Sequence, residues 1–416
     1  MKKLIKNISS LVTLKEGNPE YRTGKELHNL SEIKDGAIYF DQKVIWTGKT
    51  SEAEDKIKNG EFAPDEILDF TGKTVLPGFV DSHSHIVFGG DRAADFGKKL
   101  QGYTYKQIAE EGGGILNTVR GTRNASLEEL VAKGEKLAWE AIEHGTTSIE
   151  IKSGYGLSTE SELKMLEAIK VLKEKLPIHI TTTFMGAHDF PPEYQNDREG
   201  YIDLLCNEML PKVAELKLAE FCDAFVDEGY YTTDQGRRIF NKAKELGFKI
   251  RVHADEMACV DAADLAAEVG AYSADHLLFV SDKGIEAMKQ AGTVATMMPG
   301  TAYFIRMPYA PARKIIEAGA ITALASDCNP GSCYTQNMQL VMSLATINMK
   351  MTAEEAISAA TMNGAKALGI SDRKGSLADG KDSDFIVIDS PTYIEMLYHF
   401  GINHVKQVWV AGNRIK

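Results

Sequence analysis

Val75-Leu76-Pro77-Gly78-Phe79-Val80-Asp81-Ser82-His83-Ser84-His85 is the stretch from which the fold can be read, because an apolar, strand-like run ends in two histidines. Alternate residues of an extended strand point to the same side, so the imidazoles of His83 and His85 can reach one metal ion. Alone, a His-x-His is a weak signal, since two polar residues on a turn read the same way. The chain downstream supplies the context. Strand-like runs at 76–83, 146–152, 178–186, 221–227, 249–253, 272–276, 293–298 and 321–327 alternate with helical segments, the signature of a parallel sheet with crossover helices. Eight of them predict an α/β fold, a closed (β/α)8 TIM-type barrel. An open doubly wound sheet is the alternative, but no Gly-x-Gly-x-x-Gly loop follows the first strand.

On either side of this region the pattern changes to short β-rich runs parted by turn residues, such as 36–40, 44–46, 384–388 and 405–410. Both ends are expected to build one small β-sandwich domain, with boundaries at 1–71, 72–370 for the barrel, and 371–416. Helix signals agree with the alternation. Thr159 stands three residues before Glu162, a capping box for a helix through Lys175, and Gly247 follows a helical run over 237–246.

The 416 residues carry a net charge of −12 with no basic cluster, which argues against a nucleic-acid partner. The five cysteines are scattered and form no Cys-x-x-Cys pair, so neither a disulfide framework nor a zinc ribbon is indicated, and a reducing, cytoplasmic compartment is expected. The basic start at Met1-Lys2-Lys3 leads into a run broken by Asn7, Ser9 and Ser10, which reads as an edge strand rather than a leader. No window is long and apolar enough to span a bilayer, so no membrane association is expected.

In an α/β barrel the catalytic groups gather at the C-terminal ends of the strands. Here strand one ends in His83 and His85, strand five in His253 within His253-Ala254-Asp255-Glu256, strand six in Asp275-His276, and strand eight in Ser326-Asp327. Each has a bland explanation: His276 as a satisfied core histidine, Asp327 as a helix N-cap, Glu256 as a solvated loop carboxylate. Four polar strand ends converging on one mouth argue against all of these at once. Three imidazoles (His83, His85, His253) and one carboxylate (Asp327) suit zinc or ferrous iron and leave room for a water. Such an ion lowers the pKa of a coordinated water toward neutrality, which predicts hydrolytic chemistry. Glu256 would pass a proton to a leaving nitrogen, and His276 would orient the water or stabilise an oxyanion, with Asp327 sharing in taking the water's proton.

This combination, flanked by a split β domain, resembles the amidohydrolase superfamily over nearly the whole chain. Many members hold two metals bridged by a carboxylated lysine at the end of strand four. Here that strand ends in Asp227-Glu228-Gly229, so the resemblance implies one zinc or iron(II) ion per subunit, with Lys152 the one residue able to change the count. Four further segments, Gly89-Gly90-Asp91-Arg92, the run 150–157, Met185-Gly186-Ala187-His188 and the run 326–332, are similar to the branch that opens an imidazolone ring in histidine degradation. That similarity implies hydrolysis of the small molecule 4-imidazolone-5-propanoate to N-formimidoyl-L-glutamate. It places the metal on His83, His85, His253 and Asp327, and substrate contacts on Arg92, Tyr155, His188, Glu256, Asn329, Gly331 and Ser332, with Tyr105 a weaker candidate. It also admits a homodimer, a frequent state in the superfamily.

The residue chemistry is consistent with that reading. Arg92 can hold a carboxylate through two parallel charge-assisted hydrogen bonds, although an ion pair with Asp91 or Asp95 is its ordinary explanation. Tyr155 can add a third contact, and His188 can bond the ring carbonyl or a ring nitrogen according to its tautomer. The span 91–126, with Gly112-Gly113-Gly114 at its centre, reads as a lid or a long loop. The nearest rival is a cytosine or guanine deaminase with the same metal set, whose neutral base would offer Arg92 no carboxylate. A catalytically silent scaffold is the rival from another class.

Overall fold

A computed structural model describes residues 1–103, 107 and 111–416. Eight parallel strands follow one another in chain order around one sheet: β1 Phe79–Asp81, β2 Thr146–Lys152, β3 His179–Ala187, β4 Phe221–Val226, β5 Lys249–Ala254, β6 Ser273–His276, β7 Val294–Met297 and β8 Thr322–Leu324. Their side chains alternate as a half-polar lumen requires. On β2, Ile149 and Ile151 join the main core, leaving Glu150 and Lys152 to the inside; on β5, Ile250 and Val252 join it, leaving Arg251 and His253. The helices close the outer layer. In Leu127–Glu143, Ser126 Oγ accepts from Glu129 N at 3.2 Å while the Glu129 carboxylate accepts from Ser126 N at 2.8 Å, and Leu130, Leu137, Ala138 and Ile142 form its buried face.

The seam between β1 and β8 closes beyond both strands. Asp327 N donates to His83 O, and His85 N to Cys328 O, each at 2.9 Å, while Ser326 N and Oγ bond the Asp81 carboxylate at 2.9 and 2.5 Å. The strand expected over 321–327 narrows to Thr322–Leu324 because the chain leaves the ladder there, and Asp327 itself adopts φ +51°.

The first strand expected at 76–83 is two. Thr74–Pro77 pairs antiparallel with Phe385–Ile388 in the outer sheet, and only after Gly78 does β1 enter the barrel. A Cβ on Gly78 would lie 2.2 Å from Thr147 Oγ1 on β2, so the chain crosses between the layers where it has no side chain.

Both chain ends meet in that outer sheet, a single mixed one of eight strands. Phe385–Ile388 and Glu32–Phe40 are three hydrogen-bonded steps apart, roughly 14 Å in a flat sheet. Their Phe385 and Phe40 rings nevertheless meet edge to face at 5.3 Å, with Trp409 stacked on Phe385 at 5.4 Å. The sheet therefore curls over its own core of Ile5, Ile8, Leu11, Val75 and Val387, and one sheet supplies both faces of the expected sandwich. Among the described residues no helix is long and apolar enough to cross a membrane.

Candidate metal centre and substrate cavity

The barrel strands deliver a ring of imidazoles to one point. Ring centroids separate His83 from His253 by 4.5 Å and from His276 by 5.3 Å, and His85 from His253 by 5.5 Å. The orientation of two of these rings is fixed from below. His83 Nδ1 lies 2.7 Å from Asp275 Oδ2, and His253 Nδ1 lies 3.0 Å from Asp223 Oδ2. A carboxylate only accepts, so both Nδ1 atoms carry the hydrogen and both Nε2 atoms present bare lone pairs. Burial also holds the pKa values of His83 and His85 well below the ordinary histidine value, keeping both rings neutral.

The donor set fits a metal ion. His83 Nε2 and His85 Nε2 stand 3.3 Å apart, with Asp327 Oδ1 3.6 and 3.7 Å from them. Donors of one tetrahedral ion, each about 2.0–2.1 Å from it, are roughly 3.3 Å from one another. Charge agrees with geometry. Below the histidines, fully buried Glu150, Asp223 and Asp275 face fully buried Lys152 and Arg251, one net negative charge; Asp327 makes a second, which a divalent cation balances. Burial raises the Asp327 pKa to about 6, while Thr301 Oγ1 donates to its Oδ2 at 2.6 Å.

Lys152 is committed elsewhere. Its ammonium lies 2.7 Å from Glu150 Oε1, 2.8 Å from Asp223 Oδ2 and 4.0 Å from Asp275 Oδ2. The cluster of His83, Asp223 and Asp275, whose donor atoms also lie within 4.8 Å of each other, thus already holds a cation of the chain's own.

Glu256 sits at the rim on a backbone clamped by one side chain. The Asp227 carboxylate accepts from the N–H groups of Glu228 (2.7 Å), Glu256 (2.7 Å), Met257 (2.9 Å) and Ala258 (3.1 Å). Glu256 Oε2 is 3.5 Å from His276 Nε2, and both nitrogens of His276 are buried without a hydrogen-bond partner among the described residues. Burial, then Asp327 and Asp227, pushes the Glu256 carboxyl well above its usual range, so it carries a proton to give. His276 and Asp327 hold left-handed φ values of +80° and +51°, backbone strain at the strand ends where these groups must aim inward.

Above the ring opens a cavity of about 380 Å³, whose lining includes His85, Tyr155, His188, Glu256, Arg92 and Gly331. Arg92 Nε pairs with Asp95 Oδ2 at 2.9 Å, the ion pair its sequence neighbours suggested. Its two terminal nitrogens have no acceptor among the described residues. A Cβ on Gly331 would lie 2.6 Å from Arg92 Nη1, so the guanidinium seats against bare backbone. His188 Nδ1 lies 3.0 Å from the Gly154 carbonyl oxygen and must donate to it, which turns an unprotonated Nε2 to the cavity; burial lowers the pKa of this ring to about 3.

Tyr155 is held by Glu162, the residue that the sequence reads as part of a capping box. The helix Thr159–Lys175 is instead capped by Ser158, whose Oγ accepts from Ser161 N at 3.3 Å. The Glu162 carboxylate turns inward to the N–H groups of Gly154 (3.1 Å), Gly156 (2.7 Å) and Leu157 (2.9 Å), shaping the loop that presents the phenol. The Asn329 side chain is also turned to its own loop. Its Oδ1 accepts from Gly331 N and Ser332 N at 2.8 Å each, and its Nδ2 donates to Asp327 O and Ser332 Oγ. Tyr105 lies outside the described residues. Asp223, Asp275, Asp227, Thr301 and Glu162 act as supports, a role that sequence reasoning gave to none of them; for Asp223 the signal available was a polar residue within an apolar strand.

With barrel and metal cluster in place, the family can be stated. Residues 74–415 match the model of the amidohydrolase family, and the chain belongs to that family. The cluster and the family together mark a metal-dependent hydrolase. Among curated relatives, the imidazolonepropionase of Clostridium tetani is 45% identical over 410 residues, covering 99% of this chain and 97% of that protein. That of Porphyromonas gingivalis strain W83 is 44% identical, covering 99% and 96%. Among solved structures, the guanine deaminase of E. coli shares the fold with a TM-score of 0.76 at 16% identity, covering all of this chain and 99% of that one.

Proposed function

We propose that this chain opens the ring of 4-imidazolone-5-propanoate to N-formimidoyl-L-glutamate, in keeping with the name its full-length relatives share. The observation that carries the reading is a single cavity lined both by neutral imidazoles and Glu256 and by Arg92, whose two terminal nitrogens have no acceptor among the described residues. That arrangement suits a cyclic amide bearing a carboxylate arm. A deaminase acting on an uncharged base would leave the fork of Arg92 unused.

In this proposal His83, His85, His253 and Asp327 hold one zinc or iron(II) ion. When bound, such an ion polarises a carbonyl and lowers the pKa of water. Arg92 and Tyr155 hold the propanoate arm by charge-assisted hydrogen bonds. His188 accepts from a ring N–H, because its other nitrogen is spent on Gly154; of the two contacts the sequence left open, only the nitrogen one remains for the neutral ring. Asp327 and His276 take or orient the proton of the attacking water, which adds to the ring carbonyl carbon. As the ring carbon–nitrogen bond breaks, Glu256 gives its proton to the departing nitrogen, and the carbonyl carbon becomes the second carboxylate of the product. We place the reaction in the cytoplasm, where five unpaired cysteines are at home.

The test is product identification. Metal-assayed protein is incubated with 4-imidazolone-5-propanoate generated in place from urocanate by urocanase. N-formimidoyl-L-glutamate is expected to form faster than in a metal-stripped control; equal rates with the metal bound would overturn the proposal.

A further inference from the structure

The outer wall of the cavity carries positive charge that the reaction as described does not use. Lys99, on the helix Ala93–Leu100, lines the cavity with its ammonium 5.7 Å from the ring centroid of Phe304, which stacks on Phe96 at 5.0 Å. Its neighbour Lys98 is paired, 2.6 Å from Glu111. The side chain of Lys99 has neither a hydrogen bond nor an ion pair among the described residues, and neither has that of Arg306, which ends the opposing helix Pro299–Ile305 in a left-handed turn at φ +60°. Arg306 and Arg92 lie near enough to Lys99 to add to burial in lowering its pKa. The carboxylate beside Arg92 among the described residues, Asp95, is already divided between Arg92 Nε and Gly114 N, each at 2.9 Å. Among the described residues three cations therefore share one occupied acid, which leaves a positive field at the cavity wall for an anion to meet. The chain as a whole is at −12 and repels anions at long range.

We infer that Lys99, with Arg306 outside it, is a capture site for carboxylates at the mouth of the cavity, where the arm of the substrate is received before Arg92 takes it. The inference rests on the proposed anionic substrate and adds to it a positioning role for two residues remote from the imidazole ring. A local positive field of this kind raises the capture rate of an anion by about tenfold or more, and salt screens it over roughly 10 Å at 0.1 M. Lys99→Met keeps an apolar side chain of similar length beside Phe304 and removes the charge.

Two readouts on the metal-loaded protein test this. The first is kcat/KM against ionic strength for wild type, Lys99→Met, Arg306→Gln and Lys99→Arg. The expected result is a roughly five- to tenfold loss in Lys99→Met at low salt, a smaller one in Arg306→Gln, both shrinking toward wild type at 0.5 M salt, and recovery in Lys99→Arg. The second is calorimetric binding of 3-(imidazol-4-yl)propanoate, which cannot be ring-opened, against its amide. Lys99→Met should weaken the acid several-fold and leave the amide alone. Wild-type salt dependence together with wild-type affinity for the acid in Lys99→Met overturns the capture site, whatever the reaction proves to be. Charge-dependent binding of the acid through Lys99, in a protein that fails to open the imidazolone, would uphold the capture site and overturn the proposed function.

Discussion

Replacing Gly331 by alanine isolates the seat of Arg92 from everything else in the cavity. The added Cβ would stand 2.6 Å from Arg92 Nη1, where ordinary contact begins at 3.4 Å, so the guanidinium must retreat by about 0.8 Å. A charge-assisted hydrogen bond near 2.8 Å stretched by that amount no longer qualifies as one. Bonds to charged groups contribute about 1.5–3 kcal/mol, and 1.4 kcal/mol is a factor of ten, so losing one of the pair predicts a fall in kcat/KM of about 10- to 100-fold. The loss should fall mainly on KM, because the propanoate arm is held alike before and during the ring opening. Gly331 is not in the left-handed region, so alanine suits its backbone and the melting temperature should stay within a few degrees. Steady-state kinetics with substrate generated by urocanase, beside a thermal melt, reads both. A variant with KM within twofold of wild type would refute the argument that Arg92 seats against the bare Gly331 backbone to hold the carboxylate.

Other residues make equally definite statements. Glu256→Gln should keep the full metal content and lose two or more orders of magnitude in turnover, the scale of a general acid–base contribution; near-normal turnover would remove Glu256 from the proton transfer. Asp227→Ala strands three backbone N–H groups of the Glu256 loop and that of Glu228, and unmet donors at about 1–3 kcal/mol each predict a melting temperature lower by several degrees together with reduced turnover. Retained activity in that variant would mean the loop holds itself. His179, on the far side of the barrel, has its Nδ1 facing Arg373 Nη2 at 3.2 Å, and burial followed by Arg373 lowers its pKa to about 4. Its folded value lies below the unfolded 6.5, so the unfolded chain takes up the proton first and stability falls as pH drops from 6.5 toward 4. His179→Gln should flatten that part of the melting-temperature profile, and an unchanged acid slope would assign the loss to other groups.

What the sequence discloses about this fold depends on whether the signal is local. Periodicity gives the eight strands and their order, and strand-end histidines announce a metal because His83 and His85 follow closely on one another just past the end of one strand. Asp275 beneath His83 and Asp223 beneath His253 come from other strands; Asp275 is legible as a polar strand end, but only the folded barrel brings these carboxylates to their histidines. Glu162 shows the opposite failure. Its spacing from Thr159 matches a cap, yet the three N–H groups of the Tyr155 loop claim it, because a charge inside the domain must be answered there and a helix end at the surface can be served by Ser158. Gly78 reads as part of one strand over 76–83 rather than as the crossing between two sheets, since the Thr147 that forbids a side chain there is distant in sequence.

The seam between the first and last strands carries one more consequence. The barrel closes there through the backbone of His83, His85 and Asp327, the same three residues whose side chains converge above it. An ion gripped by those side chains acts as a rivet across the joint, so its binding free energy is returned as resistance of the barrel to opening. In hydrogen exchange, the amides of Asp327 and His85 should therefore be the first to loosen when the ion is withdrawn, and the hoop of strands should fail at its join before it fails anywhere else.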